Sequence, residues 1–177
     1  REAVNALIDC KDKPFFLAVG FWKPHAPFNA PKKYWDLYPE YSISFPDLSR
    51  PENAPEIAFH DSRELLGMPP NQAKLTRENI LEMRRGYLAN ISYLDAQLGI
   101  IVEKLKELKL TEKTIIIFQG DHGYHLGEHG LWAKTSCFEL DARIPLIISA
   151  PGITPKTAIS NSLVESIDIF PTLMDLC

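Results

Sequence analysis

The sequence carries no surplus of positive charge. Its 19 lysines and arginines stand against 23 aspartates and glutamates, a formal net charge of −4, so a nucleic-acid polymer would find no basic footprint and is excluded as a partner. An anionic ligand must be drawn by local charge. Cysteine is scarce as well: Cys10, Cys137 and Cys177 are widely spaced, odd in number and free of any C-x-x-C pattern, which argues against a disulfide framework. No apolar run approaches the ~18 residues that span a bilayer. Residue 1 is not methionine, and residues 1–8 (REAVNALI) read as part of an amphipathic helix rather than a signal peptide. The expectation is a stretch from within a longer protein. What is present, 45% hydrophobic and 24% charged residues over 177 positions, is the balance of one folded domain with a buried core.

Along the chain, residues 14–20 (PFFLAVG) form a short apolar run bounded by Pro and Gly, and predict a strand covered on both faces. Residues 20–55 hold seven prolines among many aromatics, a composition for a rigid packed loop layer. Between Thr76 and Leu108, apolar side chains recur every three or four positions (Ile80, Met83, Tyr87, Ile91, Leu94, Leu98, Ile101, Leu105). This predicts one long core-facing helix with Thr76 as its cap and Gly86 and Gly99 as tolerated soft spots. Residues 114–119 (TIIIFQ) and 143–149 (RIPLIIS) read as central parallel strands, and residues 168–176 as a helix capped by Asp168 with Pro171 in its first turn. Helix alternating with buried strand predicts an α/β sandwich around a mostly parallel sheet.

Residues 120–134 (GDHGYHLGEHGLWAK) pack three histidines, two acids, a lysine and four glycines directly behind the 114–119 strand. Ligands in such sheets bind beyond the carboxyl ends of strands. Asp121 offers a hard oxygen, His122 an imidazole, and the flanking glycines let the backbone turn so that both converge on one cation. Asp121 as a mere turn cap is the competing reading. His125, Glu128 and His129 also fit the H-x-x-E-H zinc signature. That motif needs a helix, and glycines at 123, 127 and 130 cost about 1 kcal/mol each there, so a zinc-protease site is disfavoured.

With its flanks, this stretch resembles the sulfatase family of the alkaline-phosphatase-like superfamily. The resemblance rests on five segments in order: K-P-H-x-P-F at 23–28, the long helix around 87–99, Asp121-His122-Gly123, G-E-H-G at 127–130 with Trp132 and Lys134, and R-x-P-L at 143–146, with a late helix from Asp168. It is tightest to iduronate-2-sulfatase-like members. It implies a three-layer α/β sandwich. It also implies that Asp121 and His122 ligate a divalent cation, usually calcium, although calcium prefers oxygen ligands. Lys134 would contact sulfate oxygens, His25 would bind sulfate or protonate the leaving alcohol, and Lys23 would assist in binding. The implied partner is a small-molecule or oligosaccharide sulfate ester, and the implied compartment is periplasmic, secreted or lysosome-like. Oligomeric state is not legible. The aromatics near His25 (Trp22, Phe28, Tyr34, Trp35) could stack on a sugar or serve as loop core.

The family's nucleophile is a formylglycine made from Cys or Ser in a C/S-x-P/A-x-R motif. No such motif occurs among the 177 residues. The resemblance therefore implies a middle-to-late part of one sulfatase domain, without its nucleophile-bearing part or carboxy-terminal subdomain, and inactive by itself. Two alternatives stand beside a sulfatase: a phosphatase or phosphodiesterase of the same superfamily, which normally lacks the G-E-H-G…K continuation, and a non-catalytic module that keeps the fold.

Overall fold

The computed structural model describes residues 1–62, 64 and 75–177. Its spine is the helix α3 (Arg77–Glu107), roughly 45 Å long at 1.5 Å per residue. Thr76 starts it as expected: its Oγ1 accepts from the Asn79 amide at 3.2 Å while Asn79 Oδ1 accepts from the Thr76 amide at 3.2 Å. This reciprocal capping satisfies two amides that a helix start otherwise leaves orphaned. Lys104 and Lys106 in the last turn complement the negative end of the helix.

Two apolar clusters lie along the spine. At its carboxyl end, Leu7 from α1 (Glu2–Cys10) packs with Leu105 and Leu110, joined by Phe15, Leu17 and Ile116. At its amino end, Ile80 and Met83 pack with Ala26 and Trp132, and Phe28, Phe45 and Leu126 close around them. Each fully buried side chain of this size contributes about 1.5–3 kcal/mol. The proline-rich layer lies against the middle of α3 through α2 (Lys32–Trp35), where Tyr34 meets Tyr93 with ring centroids 5.3 Å apart and Tyr38 Oη and Ser92 Oγ share a hydrogen bond of 2.7 Å.

Gly86 is no soft spot. A Cβ there would come within 2.9 Å of the Trp35 ring and 3.0 Å of Phe28 Cβ, whereas one at Gly99 would meet nothing within 4 Å. At Gly86 the helix backbone lies directly against the aromatic layer, and a methyl group would push them apart.

The strands depart from expectation. β1 (Ile116–Gln119) pairs with β4 (Leu146–Ser149) antiparallel, Ile116 opposite Ser149. Between them lie the two-residue strands β2 (His125–Leu126) and β3 (Trp132–Ala133), themselves an antiparallel ribbon. The parallel pairing predicted from unbroken apolar runs fails because such runs report that both faces are covered, not which way the partner points. The chain leaves β1 at Gly120 and returns at Pro145, whose carbonyl accepts from the Gly120 amide at 3.1 Å. A chain that doubles back on itself this closely can only run antiparallel.

Residues 14–20 are extended but pair with no strand among the described residues. Phe15 and Leu17 face the core while Phe16 is 84% exposed. The late helix α5 (Ile169–Leu176) follows Asp168 as predicted, yet the Asp168 carboxylate accepts from the Glu165 amide at 2.8 Å instead of capping α5. The cysteines are free thiols. No helix of the described residues is long and apolar enough to cross a membrane.

Candidate functional site

Gly120 carries the chain out of β1 and presents Asp121 and His122 at its carboxyl end. Asp121 Oδ1 accepts from the His122 amide at 3.1 Å, and its second oxygen lies 3.6 Å from His122 Nε2. His122 Nδ1 donates to the Gly123 carbonyl at 2.7 Å. A carbonyl can only accept, so in the neutral ring the lone pair is on Nε2, facing Asp121. The next residue must be glycine: an ideal Cβ on Gly123 would fall 1.9 Å from the Leu140 carbonyl oxygen, and its amide donates to the Asp141 carbonyl at 2.7 Å. The turn helix α4 (Glu139–Ala142) thus lies directly on the Asp121–His122 loop.

That contact is locked from below by a pair that sequence reasoning missed. His125 is fully buried, and its Nδ1 lies 2.8 Å from Asp141 Oδ1. Asp141 Oδ2 accepts from the Ser136 amide at 2.8 Å and the Ser136 hydroxyl at 2.6 Å. One carboxylate therefore ties the loop after β1 to the segment that follows Lys134.

The H-x-x-E-H stretch forms no α-helix: His125–Leu126 is strand and only Glu128–Gly130 makes a short 3-10 turn. Gly127 has φ 105° and His129 φ 59°, so His125 and His129 share no helix face. Glu128 turns instead to α3, accepting from Arg84 Nη1 at 2.6 Å and from the Leu126 amide at 2.7 Å. Burial pushes its carboxyl upward, but the Arg84 hydrogen bond, the amide bonds and the Arg84 charge outweigh it and hold the group below the ordinary carboxylate value. A depressed folded value means stability that is present at neutral pH and lost as pH falls from about 4.5 through the folded value. Glu128→Gln is accordingly expected to destabilise the fold by about 2 kcal/mol at pH 7, with the gap to wild type closing in acid. Urea titrations at pH 7 and near pH 3 check this, and a pH-independent gap would show that packing rather than charge is at stake.

Lys134 projects from the end of the β2–β3 ribbon between two residues of unusual backbone, Ala133 at φ 69° and Thr135 at φ 95°. Such strain in a β-branched residue persists only where the surroundings impose it. Its Nζ donates to Glu64 Oε2 at 2.7 Å and lies 5.9 Å from the Tyr124 ring centroid. His25, from the proline-rich loop, brings Nε2 to 3.8 Å from the other oxygen of the same carboxylate, while its Nδ1 donates to the Ala26 carbonyl at 2.7 Å. Residues 25 and 134 share no local reason to meet, yet both face Glu64. Nothing in the sequence singled out Glu64, one acid in an unpatterned stretch.

Lys23 is not part of this convergence. Its Nζ donates to the Pro27 carbonyl at 2.6 Å and to the His25 carbonyl at 3.4 Å, bracing the loop that carries His25, and burial lowers its amine below the ordinary lysine value.

Tyr87 and Tyr124 connect the two halves. Their rings stack with centroids 5.4 Å apart, and Phe28 meets both edge-on. Burial, then the charge of Asp121, raises the Tyr87 phenol; burial, then the charge of Glu64, pushes up that of Tyr124. One ring thus senses the Asp121 side and its neighbour the Glu64 side. Of the four aromatics considered for sugar stacking, Phe28, Tyr34 and Trp35 are packed inward. Trp22 is 73% exposed, 4.8 Å from the His25 ring between centroids, beside a cavity of about 260 Å³ that it lines with Phe21 and Tyr93. Among the described residues no three His, Cys, Asp or Glu side chains gather as a metal cluster.

This layout, a strand ending in Asp-His, a glycine-rich return and a lysine brought against a histidine from a remote loop, sits on a known fold. The structure matches the phosphonate monoester hydrolase of Silicibacter pomeroyi with a TM-score of 0.78 at 24% identity, over 98% of this chain and 36% of that one. The superfamily is that of sulfatases and their alkaline-phosphatase-like relatives. Within it the chain belongs to the sulfatase family, whose model matches residues 1–177. It is 39% identical to the iduronate 2-sulfatase of Mus musculus over 99% of the chain and 34% of that protein. It is 38% identical to the choline-sulfatase of Rhizobium meliloti over 93% of the chain and 31% of that protein. The chain thus spans about a third of the length of the curated relatives it matches.

Proposed function

We propose that the protein hydrolyses a sulfate monoester carried on a sugar or glycosaminoglycan, with His25 and Lys134 as the groups of this chain that hold the sulfate. Support comes from the family and, above all, from one observation: a histidine and a lysine from distant segments close on a single carboxylate, the arrangement an anion would occupy. A sulfate monoester spreads its negative charge over several oxygens and gains charge on the departing one. A fixed ammonium and an imidazole aimed at that point stabilise what develops in the transition state.

Asp121 and His122 fit a divalent cation, proposed as calcium, as part of a ligand set. The Asp121 carboxylate is 89% exposed, and the His122 bond to Gly123 leaves Nε2 available beside it. Two donors are fewer than the six to eight calcium takes, so further oxygens must complete the set. The cation would supply charge neutralisation at the sulfate oxygens. The formylglycine implied by the family is assigned to no residue of this chain. In the complete protein we place β1 within a larger, mostly parallel sheet of a three-layer sandwich, and the protein in a periplasmic, secreted or lysosome-like compartment.

The test is hydrolysis by the complete protein of saccharides sulfated at different ring oxygens or at nitrogen, with phosphate monoesters alongside. Preference for a phosphate ester would overturn the sulfatase assignment. Within it, His25→Ala is expected to slow sugar sulfates, whose alcohols leave poorly, far more than an activated aryl sulfate that needs little protonation. Equal losses on both would leave His25 as a sulfate-binding group only.

A further inference from the structure

The Glu64 carboxylate stands where the proposed function needs the substrate's sulfate. We infer that Glu64 is an internal competitor for the anion position of His25 and Lys134, and that a sulfate ester binds by displacing its carboxylate from Lys134. The inference rests on the reading of His25 and Lys134 as the anion site.

Four features carry it. Two oxygens on one carbon present to Lys134 and His25 what two oxygens of a sulfate would present, at 2.7 Å and 3.8 Å respectively. The grip is incomplete: Oε1 is buried without a hydrogen-bond partner among the described residues, the His25 nitrogen being beyond hydrogen-bond reach. A buried acceptor left unsatisfied raises the free energy of the bound carboxylate, so exchange for a better-coordinated anion is favoured. The lysine is the fixed partner, since the strained backbone at Ala133 and Thr135 presents it, and the carboxylate is the one that must yield. A cavity of about 240 Å³, lined by Glu64, Ser62, Trp132 and Lys134 among others, adjoins the contact and offers room for the arriving ester. Left in place, the carboxylate would lie beside the incoming anion in a partly desolvated pocket, where like charges repel strongly.

Glu64→Gln separates charge from geometry. The amide oxygen can still accept from Lys134, so the lysine keeps its partner while the competing charge is gone. Measured by calorimetry on the complete protein with inorganic sulfate as the probe, Glu64→Gln is expected to tighten sulfate binding about fivefold to tenfold, the scale of one charged contact. KM for a sulfate ester should fall in parallel. Glu64→Asp, which keeps the charge, should not show the gain. Unchanged or weakened sulfate binding in Glu64→Gln, with wild-type thermal stability, overturns the inference and makes Glu64 a structural tether for Lys134. The underlying reading is tested separately by Lys134→Ala: sulfate binding that survives that change refutes the anion site itself, whatever Glu64 does.

Discussion

Lys134→Ala in the complete protein is expected to lower turnover of a sulfate monoester by roughly 10²–10³-fold, about 3–4 kcal/mol of transition-state stabilisation if it resembles the loss of one preorganised oxyanion donor. The proposed role draws on the placement of Lys134. It is only about a quarter exposed, held between two backbone outliers, and already engaged with one anion at 2.7 Å. An ammonium fixed before the reaction costs no reorganisation as charge builds on the sulfate. The loss should appear mainly in kcat, because the ground-state ester presents less charge to the lysine than the transition state does. Steady-state kinetics on a sugar sulfate check this. A rise in KM with kcat unchanged would reduce Lys134 to uniform binding and remove it from the catalytic step.

Asp141→Ala should be the most damaging change to the fold. It strips the acceptor from a histidine that is 0% exposed and, at the same time, leaves the Ser136 amide and hydroxyl without theirs. Removing a buried carboxylate that three polar groups share costs about 3–5 kcal/mol, a large part of the 5–15 kcal/mol that typically holds a domain together. Urea denaturation of the variant measures it. The double change His125→Leu with Asp141→Ala should recover part of the loss, since an apolar side chain needs no acceptor. A cost under about 1 kcal/mol for Asp141→Ala, or no recovery in the double variant, would mean that the pair does not hold the loop. Activity should fall with stability, because the Asp141 carboxylate anchors the turn whose main-chain carbonyl receives the Gly123 amide next to Asp121 and His122.

Several features were legible because their causes are local. The period of apolar residues and the Thr76–Asn79 pair mark α3 wherever the chain is placed, since helix periodicity and capping involve residues three or four apart. The composition of residues 120–134 pointed to a site because glycine, histidine and acid at that density make a poor core, yet His125, Leu131, Trp132 and Ala133 of that stretch are buried. The rejection of a helical H-x-x-E-H site rested on glycine's backbone cost, and the left-handed Gly127 agrees with it. Gly86 was misread for the opposite reason. A glycine inside a helix looks the same in the sequence whether it is tolerated or required, and only the Trp35 ring pressed against it decides.

Near-neighbour chemistry made the long helix, the strand that runs up to Asp121 and His122 and the packed aromatic layer readable from the residue order, and nominated His25, Asp121, His122 and Lys134 as candidates. Folding in three dimensions set β1 and β4 antiparallel, spent His125 on Asp141 and turned Lys23 to brace its own loop. It alone brought His25 and Lys134 to the same carboxylate, and chose Glu64 to supply it. Apart from the local Lys23 brace, the physical reason is common. Pairing direction, burial and the meeting of charges depend on which remote segments the hydrophobic clusters pull together, and no residue carries a record of a neighbour that lies far away along the chain.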